Sequence, residues 1–211
     1  MTLSLTIVDT RDHHLANLAV AQSARVLEKV HSLDKIYWYS DRQMTTSIDN
    51  IPVQWIKINP IEQFPLDYNR VMMCLMPHIA SERFNLVIQT DGYPCNPEAW
   101  SHDFLQYDYI GASWPWESLS VGNGGFSLRS RALLDALLQV DLSEFFHHPE
   151  DVAICRMLRP MLEQDYQIKF APAELADRFS VEFNTHSSWL GTSFGFHGKH
   201  TEVLENYPRL T

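Results

Sequence analysis

A carboxylate closely follows a short apolar run in the first half of the chain. Leu86, Val87 and Ile88 are followed by the letters QTDG, which place Asp91 in a turn directly after the run. The run predicts a strand buried on both faces, and open α/β sheets bind ligands at the carboxyl ends of their strands. Asp91 could there bind a ribose hydroxyl or a divalent cation, since Mn²⁺ and Mg²⁺ prefer oxygen ligands. The alternative is an Asp-Gly turn with no ligand.

Two further aspartates follow predicted strands, Asp9 after the first and Asp41 after the second. Parallel strands end at one edge of a sheet, so we expect both to approach Asp91, although capping or turn roles explain each singly. An anionic nucleotide would also need basic groups nearby. The donor-binding candidates are therefore Asp9, Thr10, Arg11, Asp41, Lys57, Thr90, Asp91, Gly92 and Lys199.

A glycine-rich segment, VGNGGFSLRSR, runs from Val121 to Arg131. Its glycines would let the backbone approach a ligand closely, and the Asn123 amide offers both a donor and an acceptor. No Lys-Ser/Thr pair follows, so we reject a P-loop. The simpler alternatives are a hairpin turn, and Ser130 as a helix cap with a solvated Arg131. The acceptor-binding candidates are Trp114, Asn123, Gly124, Gly125 and Arg131.

Two acidic residues, Glu150 and Asp151, precede an apolar helical pattern in HHPEDVAIC. Acidic side chains at a helix amino terminus complement the helix dipole, which is the structural interpretation. In the functional one, either carboxylate accepts the proton of an acceptor hydroxyl during an oxocarbenium-like displacement. The sequence favours Asp151 only slightly, because it orients neither side chain.

A histidine near the carboxyl end, His197 in SFGFHGKH, could bind a metal or a diphosphate, with Lys199 beside it to neutralise the leaving phosphate. A lone histidine is more often structural. Hydrolysis by a Ser-His-Asp triad is not indicated, because the chain has no GxSxG nucleophile elbow.

Alternating elements would position these side chains. The pattern predicts an α/β, Rossmann-like fold with a mixed, mostly parallel central sheet flanked by helices. The predicted strands are Leu3–Val8, Ile36–Tyr39, Val53–Ile58 and Leu86–Gln89. The predicted helices are His13–Val30 with Asp12 as its cap, Tyr68–Ala80 ended or kinked by Pro77, Ala132–Val140 and Val152–Leu162.

Length and charge bound the interpretation. The chain has 211 residues, 45% of them hydrophobic, enough for one substantial core. We expect one domain over 1–211, with a nucleotide-binding half at 1–94 and an acceptor-binding half at 95–211. The formal charge of −10 and the pI near 5.4, with no Lys/Arg run, argue against binding to nucleic acid.

Cysteine usage and hydropathy bear on the compartment. Three cysteines without CxxC spacing indicate neither a disulfide framework nor a zinc knuckle, and we expect reduced thiols in a cytoplasmic protein. The amino terminus lacks the pattern of a signal peptide, and no stretch approaches about 18 uninterrupted apolar residues. We therefore expect no membrane span, while the six Trp residues leave peripheral attachment open.

Several strings together resemble a family of uncharacterised domains that are regarded as glycosyltransferases of the GT-A fold. They lie between Tyr37 and Gly198, so the resemblance covers most of the chain and is specific as a set. The strings are YWYSDR, QTDGYP, YDYIGASWPW, VGNGGFSLRSR, HPEDVAIC, FAPAELADRFSVE and FGFHG.

The resemblance implies a nucleotide-sugar donor and a glycan or other hydroxyl acceptor. Among such donors, a UDP-sugar is the favoured one. QTDG stands where GT-A enzymes carry an Asp-x-Asp metal motif, although Tyr93 replaces the second acid. GNGGFSLRSR resembles the loop that contacts acceptor and donor sugar, and PED the acidic motif that supplies the base in inverting members. FHG resembles a carboxyl-terminal metal-binding histidine. By this resemblance Asp91 and His197 would hold a Mn²⁺ or Mg²⁺ ion.

The sequence thus predicts a glycosyltransferase, inverting, with Asp151 or Glu150 as the base. The alternative from another class is a non-catalytic sugar- or nucleotide-binding module, in which Trp114, Trp116 and Tyr93 would stack on the ligand. A nucleotidyltransferase ranks third, because the glycine-rich stretch follows the Asp91 turn instead of opening the first strand-to-helix turn.

Overall fold

The computed structural model describes residues 2–44, 47–183 and 191–198 as strands and helices around two sheets. The strands are β1 Leu3–Val8, β2 Lys35–Ser40, β3 Ser47–Ile48, β4 Ile51–Lys57, β5 Phe84–Ile88, β6 Gly92–Pro94, β7 Tyr109–Ile110, β8 Ser127–Ser130, β9 Ser180–Val181 and β10 Gly195–His197. The α-helices are α1 His13–Glu28, α2 Leu66–Asn69, α3 Met76–Ile79, α4 Arg131–Leu137, α5 Glu150–Val152, α6 Arg159–Tyr166 and α7 Ala173–Phe179. Two 3-10 turns occupy Pro97–Ala99 and His102–Gln106.

The larger sheet has seven strands in the order β3-β4-β2-β1-β5-β8-β7. Its centre, β4-β2-β1-β5, is parallel, whereas β3 and β8 run antiparallel to their neighbours and β7 runs antiparallel to β8. A smaller sheet has the order β6-β10-β9. The expected α/β fold with a mixed, mostly parallel central sheet flanked by helices is confirmed.

Strands β1, β2 and β5 are buried on both faces, which explains their apolar composition, whereas β4 is partly exposed. Leu3, Leu5 and Ile7 of β1 belong to the larger core, which also contains one face of α1. Val8 belongs to a smaller core beneath α2 and α3. The predicted cap of α1 is confirmed, since the Asp12 side chain accepts a hydrogen bond from the Leu15 amide.

Two helical regions contain π-helical turns. The first runs from α2 through a π segment, Arg70–Leu75, into α3. Of the two predicted effects of Pro77, ending the helix is wrong, because the helix continues to Ile79. The wide turn directly before Pro77 accommodates a residue without an amide hydrogen. The predicted helix over Val152–Leu162 is also divided, into α5, a π segment at Ala153–Met157 and α6.

Other expectations concern caps, thiols and membrane spans. The Ser130 side chain caps α4, accepting from the Leu133 amide. Cys74, Cys95 and Cys155 are free thiols, as predicted. In the described part of the chain, no helix has the length and apolarity needed to cross a membrane.

Candidate active site

The small sheet brings three polar segments together at the carboxyl end of β5. β6 begins directly after Asp91 and pairs with β10 so that Gly92 lies opposite His197. β10 also runs parallel to β9, which ends at Val181, and this pairing places Glu182 beside His197. Long-range strand pairing therefore assembles groups that are far apart in the chain.

The His197 ring is surrounded by polar partners. Its Nδ1 lies 2.9 Å from Glu182 Oε1 and 3.0 Å from Asn123 Nδ2. Its Nε2 lies 3.1 Å from Gln89 Oε1 and 3.7 Å from Asp91 Oδ1. Both nitrogens of the imidazole thus face groups that can fix its orientation.

The net effect of these neighbours is to raise the pKa of His197 above its ordinary value. Burial alone would lower it, because a low dielectric disfavours the imidazolium. The hydrogen bond to Glu182 and the negative charges of Glu182, Asp91 and Asp151 outweigh that loss. The site therefore stabilises positive charge at His197.

Two glycines make room for the His197 ring. A Cβ added at Gly92 would lie 2.7 Å from His197 Cδ2, and one added at Gly125 would overlap the ring at Nε2. The close backbone approach that the glycine-rich segment predicts is therefore an approach to a side chain of the protein itself. Gly92 and Gly125 lie against His197 because neither carries a side chain.

A turn centred on Asn123 connects His197 to the helical side of the site. Asn123 has a left-handed backbone, with φ of 56°. Its Oδ1 accepts from the amides of Gly125, at 3.1 Å, and Phe126, at 3.4 Å. Its carbonyl accepts from the Tyr109 hydroxyl at 3.1 Å. These contacts fix the amide so that Nδ2 faces His197.

The Asp151 carboxylate is bound to the same turn. Its Oδ2 accepts from the Gly124 amide at 3.0 Å, and its Oδ1 accepts from the Val152 amide at 2.8 Å. The residue is half-buried at the start of α5. The structure thus places Asp151 beside the turn that contacts His197.

The neighbouring Glu150 has a different environment. It is buried, and its Oε1 lies 2.7 Å from Nη2 of Arg129, which is fully buried. A Cβ added at Gly124 would overlap the Glu150 carboxylate, so the pair lies directly beneath the turn. Burial and the charge of Asp151 raise the pKa of Glu150, and Arg129 acts in the opposite direction. Glu150 is therefore committed to an internal ion pair.

An open cleft of about 190 Å³ lies at the carboxyl ends of β1 and β5. Four of the donor-binding candidates line it. They are Asp9, Thr10, Arg11 and Thr90, and the other walls come from Val8, Ile61, Phe64, Tyr68 and Gln89. The volume is smaller than the range of about 300–1,000 Å³ for pockets that enclose a drug-sized ligand, so it suits one part of a larger molecule.

Gln89 joins this cleft to His197. Its Nε2 donates to the Tyr68 hydroxyl at 3.0 Å, and its Oε1 faces His197 Nε2. Burial raises the pKa of Tyr68, which keeps the phenol protonated. We call His197 and the side chains around its ring the His197 cluster; they are Gln89, Asp91, Asn123 and Glu182. Gln89 therefore belongs both to the cleft and to this cluster.

Asp41, another strand-end candidate, lies near the Asp9 side of this cleft. Asp9 and Asp41 follow the adjacent strands β1 and β2, and His13 bridges them at 3.9 Å and 3.2 Å. Burial raises the pKa of Asp9, although the backbone amides of Arg11 and Asp12 partly offset this. Both aspartates lie at the expected edge of the sheet.

Lys57 ends β4, opposite Ser40 of β2, and is exposed. It does not line the cleft. Lys199 lies outside the described residues.

Arg131 lies beside the start of β5, whereas Asp91 follows its carboxyl end, so the two residues lie at opposite ends of the strands. β8 runs antiparallel to β5 with Ser130 opposite Phe84, and the Arg131 amide donates to the Arg83 carbonyl. The guanidinium bonds the carbonyls of Pro77 and Ala80, at the end of α3, and the carboxylate of Asp135. Its position therefore does not support the predicted acceptor contact.

Trp114 is buried, with a relative exposure of 7%. A Cβ added at Gly122 would overlap its ring, and the Arg156 guanidinium lies 4.2 Å from the ring centroid. Tyr93 is likewise buried, in edge-to-face contact with Phe196. Of the three aromatic residues proposed to stack on a ligand, Trp116 is the exposed one.

Asp91 and His197 fit part of a shared cation site. Asp91 Oδ1 and His197 Nε2 are 3.7 Å apart, a separation that suits two atoms each lying about 2.1 Å from one ion. No group of three His, Cys, Asp or Glu side chains with metal-binding geometry occurs among the described residues. The remaining ligands would then be water and substrate phosphate oxygens, as is usual for Mg²⁺.

Sequence reasoning missed three residues of this site: Gln89, Glu182 and Arg129 in its structural role. Gln89 stands two residues before Asp91, at the end of the buried strand, where a polar residue could have been singled out. Glu182 and the Arg129–Glu150 pair carry no local signal, because their partners are 15 and 21 residues away.

Comparison with solved structures identifies glycosyltransferases among the proteins of similar fold. A glycosyltransferase involved in glycosylation of the major capsid of PBCV-1 aligns with a TM-score of 0.61 at 9% identity, over 100% of this chain and 98% of that one. The galactosyltransferase LgtC, in complex with donor and acceptor sugar analogues, has a TM-score of 0.49 at 13% identity, covering 98% and 94%. GlyE of Streptococcus pneumoniae has a TM-score of 0.49 at 11% identity, covering 93% and 54%.

The first of these similarities shows that the fold is glycosyltransferase-like. Comparison with curated proteins gives no match. Residues 53–197 match the sequence model of a family described as a protein of unknown function, DUF5672. These residues contain most of β4, all of β5 to β10 and the whole His197 cluster, and they make up more than half of the chain. The chain belongs to the DUF5672 family.

Proposed function

We propose that the protein is an inverting glycosyltransferase that moves a sugar from a nucleotide-sugar donor to an acceptor hydroxyl. The donor that we favour is a UDP-sugar. One observation carries the proposal: the turn of Asn123 and Gly124 contacts His197 on one side and Asp151 on the other. A group for the leaving phosphate and a candidate base are thus fixed to one short segment. The glycosyltransferase-like fold supports this assignment.

The donor would bind with its nucleoside in the cleft at the ends of β1 and β5. Asp9 Oδ1 already accepts from the amides of Arg11 and Asp12. A carboxylate anchored in this way can accept from ribose hydroxyls, while the exposed Arg11 offers positive charge. From there the diphosphate would extend past Thr90 toward Asp91 and His197.

The leaving diphosphate needs positive charge. A divalent cation bound by Asp91 and His197 would supply it by neutralising the phosphate oxygens. The protein contributes the placement of the two ligands, since Gly92 and Gly125 leave room for the imidazole, and Glu182 and Gln89 hold it in one position. Preorganised charge of this kind lowers the barrier because nothing has to reorient during the reaction.

Asp151 would act as the general base, and Glu150 would position it through the ion pair with Arg129. Asp151 accepts the proton of the acceptor hydroxyl as its oxygen bonds to the anomeric carbon. The bond from that carbon to the phosphate oxygen breaks, and the nucleoside diphosphate leaves with the electron pair. Attack opposite the leaving group inverts the anomeric configuration.

Thermal-shift measurements against UDP, GDP, CMP and dTDP, with and without MnCl₂, test donor binding first. We expect one nucleoside diphosphate to raise the melting temperature, and to raise it further when Mn²⁺ is present. The corresponding nucleotide sugars are then assayed for turnover. Asp151→Asn should reduce turnover by about 10²–10⁴-fold with nucleotide binding intact. The matched control is Asp165→Asn, which alters an exposed carboxylate on α6. Binding without turnover for any donor and acceptor would favour a binding module instead.

A further inference from the structure

We propose that Glu182 is a positioning residue that keeps the proton of His197 on Nδ1 and so presents Nε2, beside Asp91, to a divalent cation. The inference rests on the proposed function, because it deepens the account of the same site. Its evidence is independent of the transfer reaction, since it comes from the hydrogen-bonding capacity of the groups around one imidazole.

Strand pairing places the Glu182 carboxylate against the His197 ring. The residue follows β9, which lies beside β10, and its Oε1 lies 2.9 Å from His197 Nδ1. Its Oε2 is buried and has no hydrogen-bond partner within the described ranges. The side chain is 16% exposed, so water screens the contact only weakly. Within those ranges, the carboxylate therefore acts mainly on His197.

A carboxylate can only accept a hydrogen bond, so contact with Glu182 requires a proton on Nδ1. A second neighbour favours the other tautomer. Asn123 Nδ2 lies 3.0 Å from the same nitrogen and can only donate, because Asn123 Oδ1 is occupied by two backbone amides. Nδ1 thus has one acceptor and one donor beside it, and Glu182 decides in favour of the protonated form.

The groups around Nε2 indicate a role for the tautomer that carries its proton on Nδ1. Gln89 Oε1 and Asp91 Oδ1 are both acceptors, at 3.1 Å and 3.7 Å. Acceptor oxygens favour a positive species at Nε2. In the metal-free protein a second proton meets this need, and a divalent cation bound by Nε2 and Asp91 would replace that proton. A carboxylate on the far nitrogen is the usual way in which proteins orient a metal-binding histidine.

Direct Mn²⁺ binding tests the proposal without any sugar donor. Electron paramagnetic resonance measures free Mn²⁺ during titration of the full chain with MnCl₂. We expect Glu182→Gln to weaken binding by about tenfold or more, as removal of a partner of a metal-binding histidine does elsewhere. Glu163→Gln is the matched control, because Glu163 pairs with Arg159 on the exposed side of α6, and it should leave the Mn²⁺ affinity unchanged.

Glu182→Asp separates the hydrogen bond from the charge. It keeps the negative charge but withdraws the carboxylate from Nδ1, so we expect weakened Mn²⁺ binding here too. Long-range ¹H–¹⁵N spectra of the Mg²⁺-loaded wild type give the tautomer directly, with the proton expected on Nδ1. This spectrum keeps the test decisive if Glu182→Gln fails to fold.

Three results would overturn the proposal: Mn²⁺ affinity within two-fold of wild type in Glu182→Gln or Glu182→Asp, a proton on Nε2 in the Mg²⁺-loaded wild type, or no Mn²⁺ binding by the wild type. Glu182-dependent Mn²⁺ binding by a protein that transfers no sugar has a different meaning. It would support the positioning role and count against the proposed function.

Discussion

Arg129 Nη2 lies 2.7 Å from Glu150 Oε1, and both side chains are buried beneath Gly124. The guanidinium also donates to the Ser127 hydroxyl and to the Gly124 carbonyl. A charged pair in this position supports the turn from below, while the adjacent Asp151 bonds the same turn and stays partly accessible. Neighbouring acids thus have different physical roles.

Glu150→Gln should therefore lower stability. It leaves the buried guanidinium without a counter-ion, and breaking such a pair costs roughly 3–5 kcal/mol. Asp151→Asn should cost less stability, about 1–3 kcal/mol, because an amide oxygen can accept from only one of the two backbone amides that the carboxylate binds. It should reduce transfer by about 10²–10⁴-fold. Urea denaturation and turnover are measured on both variants. A stable Glu150→Gln together with an active Asp151→Asn would reverse the two roles.

Gly125→Ala should displace the His197 ring. The new methyl group would overlap Nε2, and the imidazole, held by Glu182 and Gln89, would have to rotate out of place. A displacement of about 1 Å in a site can cost about 100-fold in rate, so we expect a loss of that order in a folded protein.

Gln164→Ala is the control for Gly125→Ala. Gln164 is exposed on α6, so its truncation should leave the rate at the wild-type value. Equal rates in wild type and Gly125→Ala would show that the position of His197 is not needed for transfer.

The stability contribution of His197 should depend on pH. Its pKa is raised in the folded protein, so the contribution is fully present below the unfolded value of about 6.5 and disappears as the pH rises through the folded value. Glu182→Gln removes the largest of the raising influences. In metal-free buffer, the difference in free energy of unfolding between wild type and Glu182→Gln should be largest below about pH 6.5 and smaller at high pH.

Urea titrations across the pH range measure this difference. Glu163→Gln, which changes an exposed carboxylate, serves as the reference for any general charge effect. A difference that is constant with pH, or that grows as the pH rises, would contradict the prediction.

Arg131→Ala should affect stability but not transfer. The variant loses hydrogen bonds to the carbonyls of Pro77 and Ala80 and should be destabilised by about 1–3 kcal/mol. Because Arg131 lies at the sheet edge opposite Asp91, kcat/KM should stay within two-fold of wild type at a temperature where the variant is folded. A rise in acceptor KM would instead return Arg131 to the acceptor site.

Local patterns were sufficient to predict the strands that carry Asp9, Asp41 and Asp91. Each of these residues follows a strand with a dense apolar composition, and parallel pairing brings their ends to one edge. The direction of a strand is less visible in the sequence. Nothing near Arg131 indicates that β8 runs antiparallel to β5, which determines the sheet edge at which it ends.

The choice between Glu150 and Asp151 was also beyond local reasoning. Both residues stand at one helix start, and only the burial of Arg129, which contacts one of them, separates their environments. Glu182 could not be predicted for a related reason, because its contact with His197 depends on the pairing of β9 with β10. Helix caps such as Asp12 and Ser130 were predictable because their partners are three residues away.

The interleaved order of the small sheet has a consequence for biosynthesis. Strand Gly92–Pro94 lies in the first half of the chain, but its partner is Gly195–His197, which pairs in turn with Ser180–Val181. In a nascent chain the cleft beside β1 and β5 can form early, whereas the imidazole arrives only after almost all of the described residues have been translated. A ribosome-bound intermediate would therefore contain every residue that lines the cleft before His197 is added beside Gln89.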